Sequence, residues 1–407
     1  MSALHSLPKD PGHAFGGLHN ETACLRNLLA RTGAIAPHTG EPWSEAMLCG
    51  LGGGVGLSYF ILPLRNGAYP YIGLRHLDGN QSDTFLRTIC GRLGVRATTY
   101  ENPSEHAAEN DLVDALGRGA GALVWTDRAA LPYYRLPSEM IRAIPHVVGV
   151  TRFDEEAEEF ELDDRSAAPH TLDAGRFRLA RHSITSLQHR FLTISPVRAG
   201  IDPRRMVLDA ISDGVRAQCQ PPLRCFGLAG LHTWARMMTR ERDAKGWPSL
   251  FPRGLPLFRA FRSIFHQIET AGTGGGGFRP LYGDFLIECA TVTRTSDFDD
   301  MARVYHSLGD AWTALAEAAL PNDVPRLAEA KRALRRKYHA LEQGGDSAHD
   351  EVAATSARLV AIDAEMAHDF PLSEQESKDR LGDLADRLEQ LEAAERDALA
   401  ALGSLTG

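Results

Sequence analysis

The sequence predicts an α+β fold, with a mixed domain over residues 1–198 followed by an all-α domain over 199–407. Three observations predict it. Helix and strand signals alternate through the first half, whereas from Asp202 onward nearly every segment carries apolar residues at helical spacing. Composition shifts near 197–202, which sets the boundary. A chain of 407 residues is also long enough for two separate cores.

Each element has its own signal. Residues 21–32 place Cys24, Leu25, Leu28 and Leu29 on one helical stripe that Gly33 terminates. Ser44 is positioned to cap a short helix that stops at the glycines from Gly50. Leu57–Leu62 is apolar and aromatic, a buried strand that Pro63 should end. Ser82 or Asp83 opens a helix closed by Gly94, and Ser104 opens one closed by Gly117. Ala122–Trp125, His146–Phe153, Glu159–Leu162 and Phe191–Ser195 read as strands, the second and third joined by an acidic turn. Helices are expected over 203–218, 226–242, 255–270, 279–292, 299–319 and 323–342. The Ala-, Leu-, Glu- and Arg-rich stretch 347–402 suits long paired helices, a pairing that two chains could share in a homodimer.

Composition excludes several classes. The formal net charge of -9 argues against general nucleic-acid binding and against attraction to an anionic membrane. No apolar run approaches the roughly 18 residues of a membrane span. The polar first 17 residues do not read as a secretion signal, so a cytoplasmic location is expected. Six scattered cysteines and sixteen histidines show no CxxC, no HExxH and no other paired metal-ligand spacing. The expectation is reduced, mostly buried thiols, no metal and no cofactor.

Four groups of residues could carry chemistry. In His19-Asn20-Glu21-Thr22, Asn20 stands at the mouth of a helix, where partial positive charge gathers. It could cap the helix or donate its amide hydrogens to a carbonyl oxygen. Cys24, four residues on, falls on the apolar stripe and reads as a buried thiol more readily than as a nucleophile. His146 opens an apolar strand, and Asp164 follows the next strand, so an antiparallel hairpin could return the carboxylate to the imidazole. Such a pair fixes the tautomer and supports general-base action, although a surface histidine beside a solvated acidic run would look the same. In Gly272-Thr273-Gly274-Gly275-Gly276-Gly277, the glycines before Arg279 and Pro280 could present amides to an anion, or form a plain turn. Gly50–Gly56 runs from helix into strand, the wrong order for a dinucleotide fingerprint, and a tight backbone crossing or an oxyanion loop fits better. Glu45 could cap its helix or face a site, and Tyr133 and Tyr134 could wall a pocket or pack.

Taken in this order, the segments Gly17–Leu29, Ser44–Gly56, Leu131–Tyr134, His146–Arg165, Ala180-Arg181 and Gly274–Glu288 resemble the butirosin-biosynthesis acyltransferase family. That resemblance spans roughly residues 13–320. It implies a papain-like cysteine-peptidase-type N-terminal domain, a helical C-terminal domain, and transfer of an acyl group from a carrier-protein thioester to an amine. It also implies a Cys-His-Asp triad, with His146 as base, Asp164 as its orienter, and Asn20 where the nucleophilic cysteine would stand. His19 and Glu21 flank that position. Glu45, Tyr133, Tyr134, Gly274, Gly275 and Arg279 are the expected substrate contacts, the loop and Arg279 gripping an anionic group such as a pantetheine phosphate. An acyl carrier protein and a small-molecule amine are the expected partners. The departure at Asn20 points to acyl transfer or cyclisation without a covalent cysteine intermediate. Two alternatives stand beside it: a pseudoenzyme that binds a carrier protein or peptide, and an amidase or peptidase using Cys24.

Overall fold

The computed structural model describes residues 15–64, 67–76, 83–119, 121–197 and 201–406. In chain order the elements are α1 (Asn20–Arg31), α2 (Glu45–Leu51), β1 (Val55–Leu64), β2 (Gly67–Arg75), α3 (Thr84–Arg92), β3 (Val95–Tyr100), α4 (Glu105–Gly117), β4 (Ala122–Asp127), β5 (Pro145–Asp154), β6 (Glu159–Asp163), β7 (His170–Asp173), α5 (Ala174–His182) and β8 (Phe191–Val197). Helices follow: α6 (Pro203–Cys219), α7 (Gly227–Met237), α8 (Trp247–Leu250), α9 (Leu255–Phe265), α10 (Arg279–Thr293), α11 (Asp297–Ala319), α12 (Pro325–Gly344), α13 (His349–His368) and α14 (Glu374–Ser404). The protein is thus mixed α+β, with a sheet-bearing first half and a helical second half.

The local signals worked where they were chemical. Gly33 adopts φ +73° just past α1, and its N–H bonds Ala30 O. Ser44 Oγ accepts Met47 N–H at the start of α2, and Ser104 Oγ accepts Ala107 N–H at the start of α4. Asp83 precedes α3, while Ser82 lies outside the described residues.

Two prolines did not stop their strands. β1 runs through Pro63, which pairs with Ala68 in a two-stranded hairpin where one backbone edge needs no ladder donor. β8 continues to Val197 because Pro196 falls at a register shift between the pairs Val95–Val197 and Ala97–Ile194. Strands β2, β3 and β7 and helix α5 are elements that the sequence patterns did not announce.

The chain forms two compact units. One comprises residues up to Leu48, Leu86–Ile201 and Lys337–Ser356; the other comprises Cys49–Phe85, Asp202–Arg336 and Ala357–Gly407. This departs from a division into 1–198 and 199–407, although Ile201–Asp202 is one of the crossings. A lone hairpin is marginal in water and needs an apolar partner. β1–β2 finds it among the helices: Tyr59 stacks on Trp234, Trp247 Nε1 donates to the Tyr59 hydroxyl at 2.8 Å, and Gln267 receives the Ile72 N–H at 2.7 Å. The helical unit is therefore not all-α. Its glycine run is a backbone crossing, since a Cβ at Gly56 would meet Arg75 O at 2.7 Å.

In the other unit a six-stranded antiparallel sheet has the order β3-β8-β4-β5-β6-β7. Helix α1 packs against β4 and β5. Leu25, Leu28 and Leu29 join Val124, Trp125, Val148 and Val150 in the core. Residue by residue, β5 pairs with β4 so that His146 lies opposite Thr126, whose hydroxyl donates to His146 O at 3.1 Å. No helix among the described residues is long and apolar enough to cross a membrane.

Candidate active site

His146 and Asp164 meet as the hairpin reading expects. β5 and β6 are adjacent antiparallel strands with Gly149 opposite Asp163, which returns Asp164 to the start of β5. His146 Nε2 lies 2.8 Å from Asp164 Oδ1 and 2.9 Å from Oδ2. Both side chains are buried.

Burial pushes His146 below the usual imidazole pKa, with Asp164 opposing and Arg128 and Arg165 assisting. Burial alone would raise Asp164. The facing His146 and the guanidinium of Arg165 outweigh it, and Asp164 is held down at about 2. At neutral pH the pair is a neutral imidazole on a carboxylate. A carboxylate only accepts, so the ring proton sits on Nε2 and Nδ1 carries the free lone pair.

Two tyrosines hold the carboxylate. Tyr133 donates to Asp164 Oδ2 at 2.8 Å, and Tyr134 donates to Oδ1 at 3.2 Å while its oxygen lies 3.3 Å from His146 Nε2. Burial, reinforced by Asp164, raises both phenols, so they remain protonated donors. Of the two expectations, pocket wall or packing, both rings are packed in the interior, and their hydroxyls also hold Asp164. The Tyr133 ring also stacks on His170, with centroids 3.9 Å apart.

Helix α1 brings Asn20 to the same strand. Asn20 Nδ2 donates to Val147 O at 3.1 Å, one residue along β5 from His146. Asn20 does not cap α1. The cap position is His19, with extended backbone and no side-chain cap bond. Glu45, from α2, instead ties down the segment entering α1, accepting Leu18 N–H at 2.9 Å, His19 N–H at 2.6 Å and the Thr22 hydroxyl at 3.1 Å. A buried carboxylate there offsets the positive end of the helix. The approach is close: a Cβ at Gly17 would meet Ala23 Cβ at 2.4 Å and Glu45 Oε2 at 2.8 Å. Glu45 thus organises the helix mouth through its bonds to Leu18, His19 and Thr22. The His19 ring faces Thr22 Oγ1 at 3.1 Å and Glu21 at 3.5 Å.

The other thiol position is closed. Cys24 is fully buried, and its Sγ donates to Asp163 O at 3.1 Å. Burial and the charges of Asp163 and Asp164 raise its pKa well above the ordinary thiol value, which removes the thiolate. All six cysteines are free; Cys219 is exposed and Cys225 half-buried.

Arg279 and the glycine loop belong to the helical unit and do not form an open anion grip. Arg279 is buried, pairs with Glu395 at 2.7 Å, donates to Gly277 O at 2.7 Å and to Leu74 O and Gly56 O at 3.3 Å, and lies over Trp312. Gly275 N–H goes to Thr273 Oγ1 and Gly276 N–H to Glu269 Oε1. The Arg279 charge that could hold an external anion is already met by Glu395, and the Gly276 N–H by Glu269. Pro280 does occupy the first turn of α10.

One group escaped the sequence reading. Among the described residues, His170, Asp346 and His349 converge with ligand atoms within 4.8 Å of one another. The Asp-x-x-His spacing of 346 and 349 was the available signal; His170 is too distant in sequence to pair with it by eye.

A buried His–Asp pair beside a helix N-terminus, on an antiparallel sheet, has the geometry in which a carboxylate orients an imidazole that could act as a base. Residues 19–165, which contain all of that site, match the family model of Butirosin biosynthesis protein H, N-terminal. Residues 173–345 match a Domain of unknown function (DUF4872). No curated protein matches the chain.

Proposed function

We propose that the protein is a natural-product biosynthetic enzyme that forms an amide bond from an activated acyl group, without an acyl-enzyme. The observation that carries this reading is the neutral His146 ring clasped by Asp164, beside a helix mouth that offers no thiol. A thioester donor carried on pantetheine, with an amine acceptor, fits both the site and the butirosin-family match. The placement of a helix N-terminus against a histidine-bearing strand supports a papain-like ancestry for the fold.

In this mechanism His146 Nδ1 removes a proton as the amine nitrogen attacks the thioester carbonyl. The C–N bond forms and the carbonyl becomes an oxyanion. The positive N-terminal end of α1, whose first intrahelical bond runs from Ala23 N–H to His19 O, stabilises the developing charge in this reading. Collapse breaks the C–S bond, and the imidazolium returns its proton to the departing thiolate. Asp164 stabilises the transient imidazolium, and the two tyrosines hold Asp164.

A carrier-binding protein without turnover is the competing reading, favoured by one observation: the Asn20 amide is already spent on Val147 O. Incubation with acyl-pantetheine thioesters and amines separates the two. Amide product that disappears in His146→Ala supports the enzyme; binding without product supports the rival.

A further inference from the structure

We propose that His170, Asp346 and His349 form a binding site for a divalent transition metal of the zinc class. His170 opens β7, Asp346 lies in the turn that joins α12 to α13, and His349 opens α13, all within the sheet-bearing unit. His170 Nδ1 and His349 Nε2 each lie 3.4 Å from Asp346 Oδ1. That is long for a charge-assisted hydrogen bond, which prefers about 2.7–2.9 Å. It matches the edge of a tetrahedron, about 3.3 Å, when each ligand stands about 2.0–2.1 Å from a central zinc.

The site is built in advance. Asp346 Oδ2 accepts the Thr171 N–H at 2.9 Å, which turns Oδ1 toward both imidazoles. The turn itself is seated on the 166–169 segment. Gly345 N–H donates to Ser166 Oγ at 2.6 Å, and at φ +51° a Cβ there would meet Pro169 O at 2.6 Å. One ligand is buried, with His170 at 1% side-chain exposure, while Asp346 and His349 are 41% and 45% exposed. Three protein ligands with a solvent-facing fourth position are a recognised zinc arrangement, and two imidazoles with one carboxylate favour a transition metal over calcium or magnesium. A bound ion ties the Asp346–His349 turn to β7 and fixes the His170 ring on which Tyr133 stacks.

The test needs no assumption about the reaction. The full chain, stripped with a chelator, is titrated with zinc chloride by calorimetry and with cobalt(II) by visible absorption. The expected result is one ion per chain and a tetrahedral cobalt spectrum. His349→Ala, at an exposed side chain that leaves the fold intact by circular dichroism, weakens uptake by more than about 100-fold, beyond the loss of an outer partner alone. His232→Ala, at a histidine paired with Glu392, leaves it unchanged. Absence of stoichiometric uptake by the wild-type chain, or equal uptake by His349→Ala, overturns the proposal.

Discussion

The phenol of Tyr133 donates to Asp164 Oδ2 at 2.8 Å, and the same carboxylate lies within 2.9 Å of the His146 ring through both oxygens. The base is therefore positioned by a carboxylate that is itself positioned. Tyr133→Phe removes one buried, charge-assisted hydrogen bond, of about 1.5–3 kcal/mol. Turnover should fall by about 10–100-fold with the fold retained. Steady-state kinetics with matched circular dichroism check it; an unchanged kcat/KM would mean that the phenol only packs.

Rate should also report the protonation of His146. Burial moves its pKa below the ordinary imidazole value, and the base must be neutral to act. Activity is then full at neutral pH and falls as pH drops through a midpoint below about 6.5. A kcat/KM profile gives that midpoint, and an acid limb above the ordinary value would contradict the assignment.

Asn20→Cys places a sulfur at the mouth of α1, where the native side chain meets β5 at Val147, the residue after the base. The helix N-terminus lowers a thiol pKa, and His146 is available to take its proton. The variant should gain an acyl adduct on incubation with a thioester, visible by intact-protein mass spectrometry and blocked by iodoacetamide. Wild type should not.

Asp163 carries a stability cost that grows with pH. Burial raises its carboxyl to about 7, although Asn27 donates to Oδ2 at 2.7 Å. Because the folded pKa exceeds the unfolded one, the folded state binds the extra proton between about pH 4 and 7. Stability is complete below that window and is lost as pH rises through about 7. Asp163→Asn keeps an acceptor for Asn27 and should flatten this slope, gaining on the order of 2–4 kcal/mol at pH 8. Urea unfolding at pH 5 and pH 8 measures it.

Arg279 should behave as a structural cation. Replacing Glu395 with Gln leaves a buried guanidinium without its countercharge, at a cost of about 3–5 kcal/mol. Lysine at 279 should not rescue, because one ammonium cannot reproduce contacts to Glu395, Gly277, Leu74 and Gly56. Thermal unfolding of both variants decides this, and a neutral result would return Arg279 to the list of ligand-binding candidates.

What the sequence made legible was local. The pairing of His146 with Asp164 follows from two strands and a tight turn, and the caps at Ser44 and Ser104 follow from residue type. Tyr133 and Tyr134 were visible as residues but not as partners of Asp164, because a contact across 31 and 30 positions leaves no periodic trace. Arg279 looked like an open cation because Glu395 lies 116 residues away. Of the two uses open to Asn20, capping and donation to a carbonyl, the structure shows the second, to Val147 O, a partner 127 residues away. The hairpin β1–β2 joined the helices because packing, not sequence adjacency, decides where an apolar strand face is buried.

The most direct test combines intact-protein mass spectrometry with product analysis, using a panel of acyl-pantetheine thioesters and amines on wild type and His146→Ala. The account predicts amide product with no protein adduct in the wild type, and a loss of about 10²–10⁴-fold in the variant. A protein adduct on the wild-type chain, or undiminished product from His146→Ala, would contradict it.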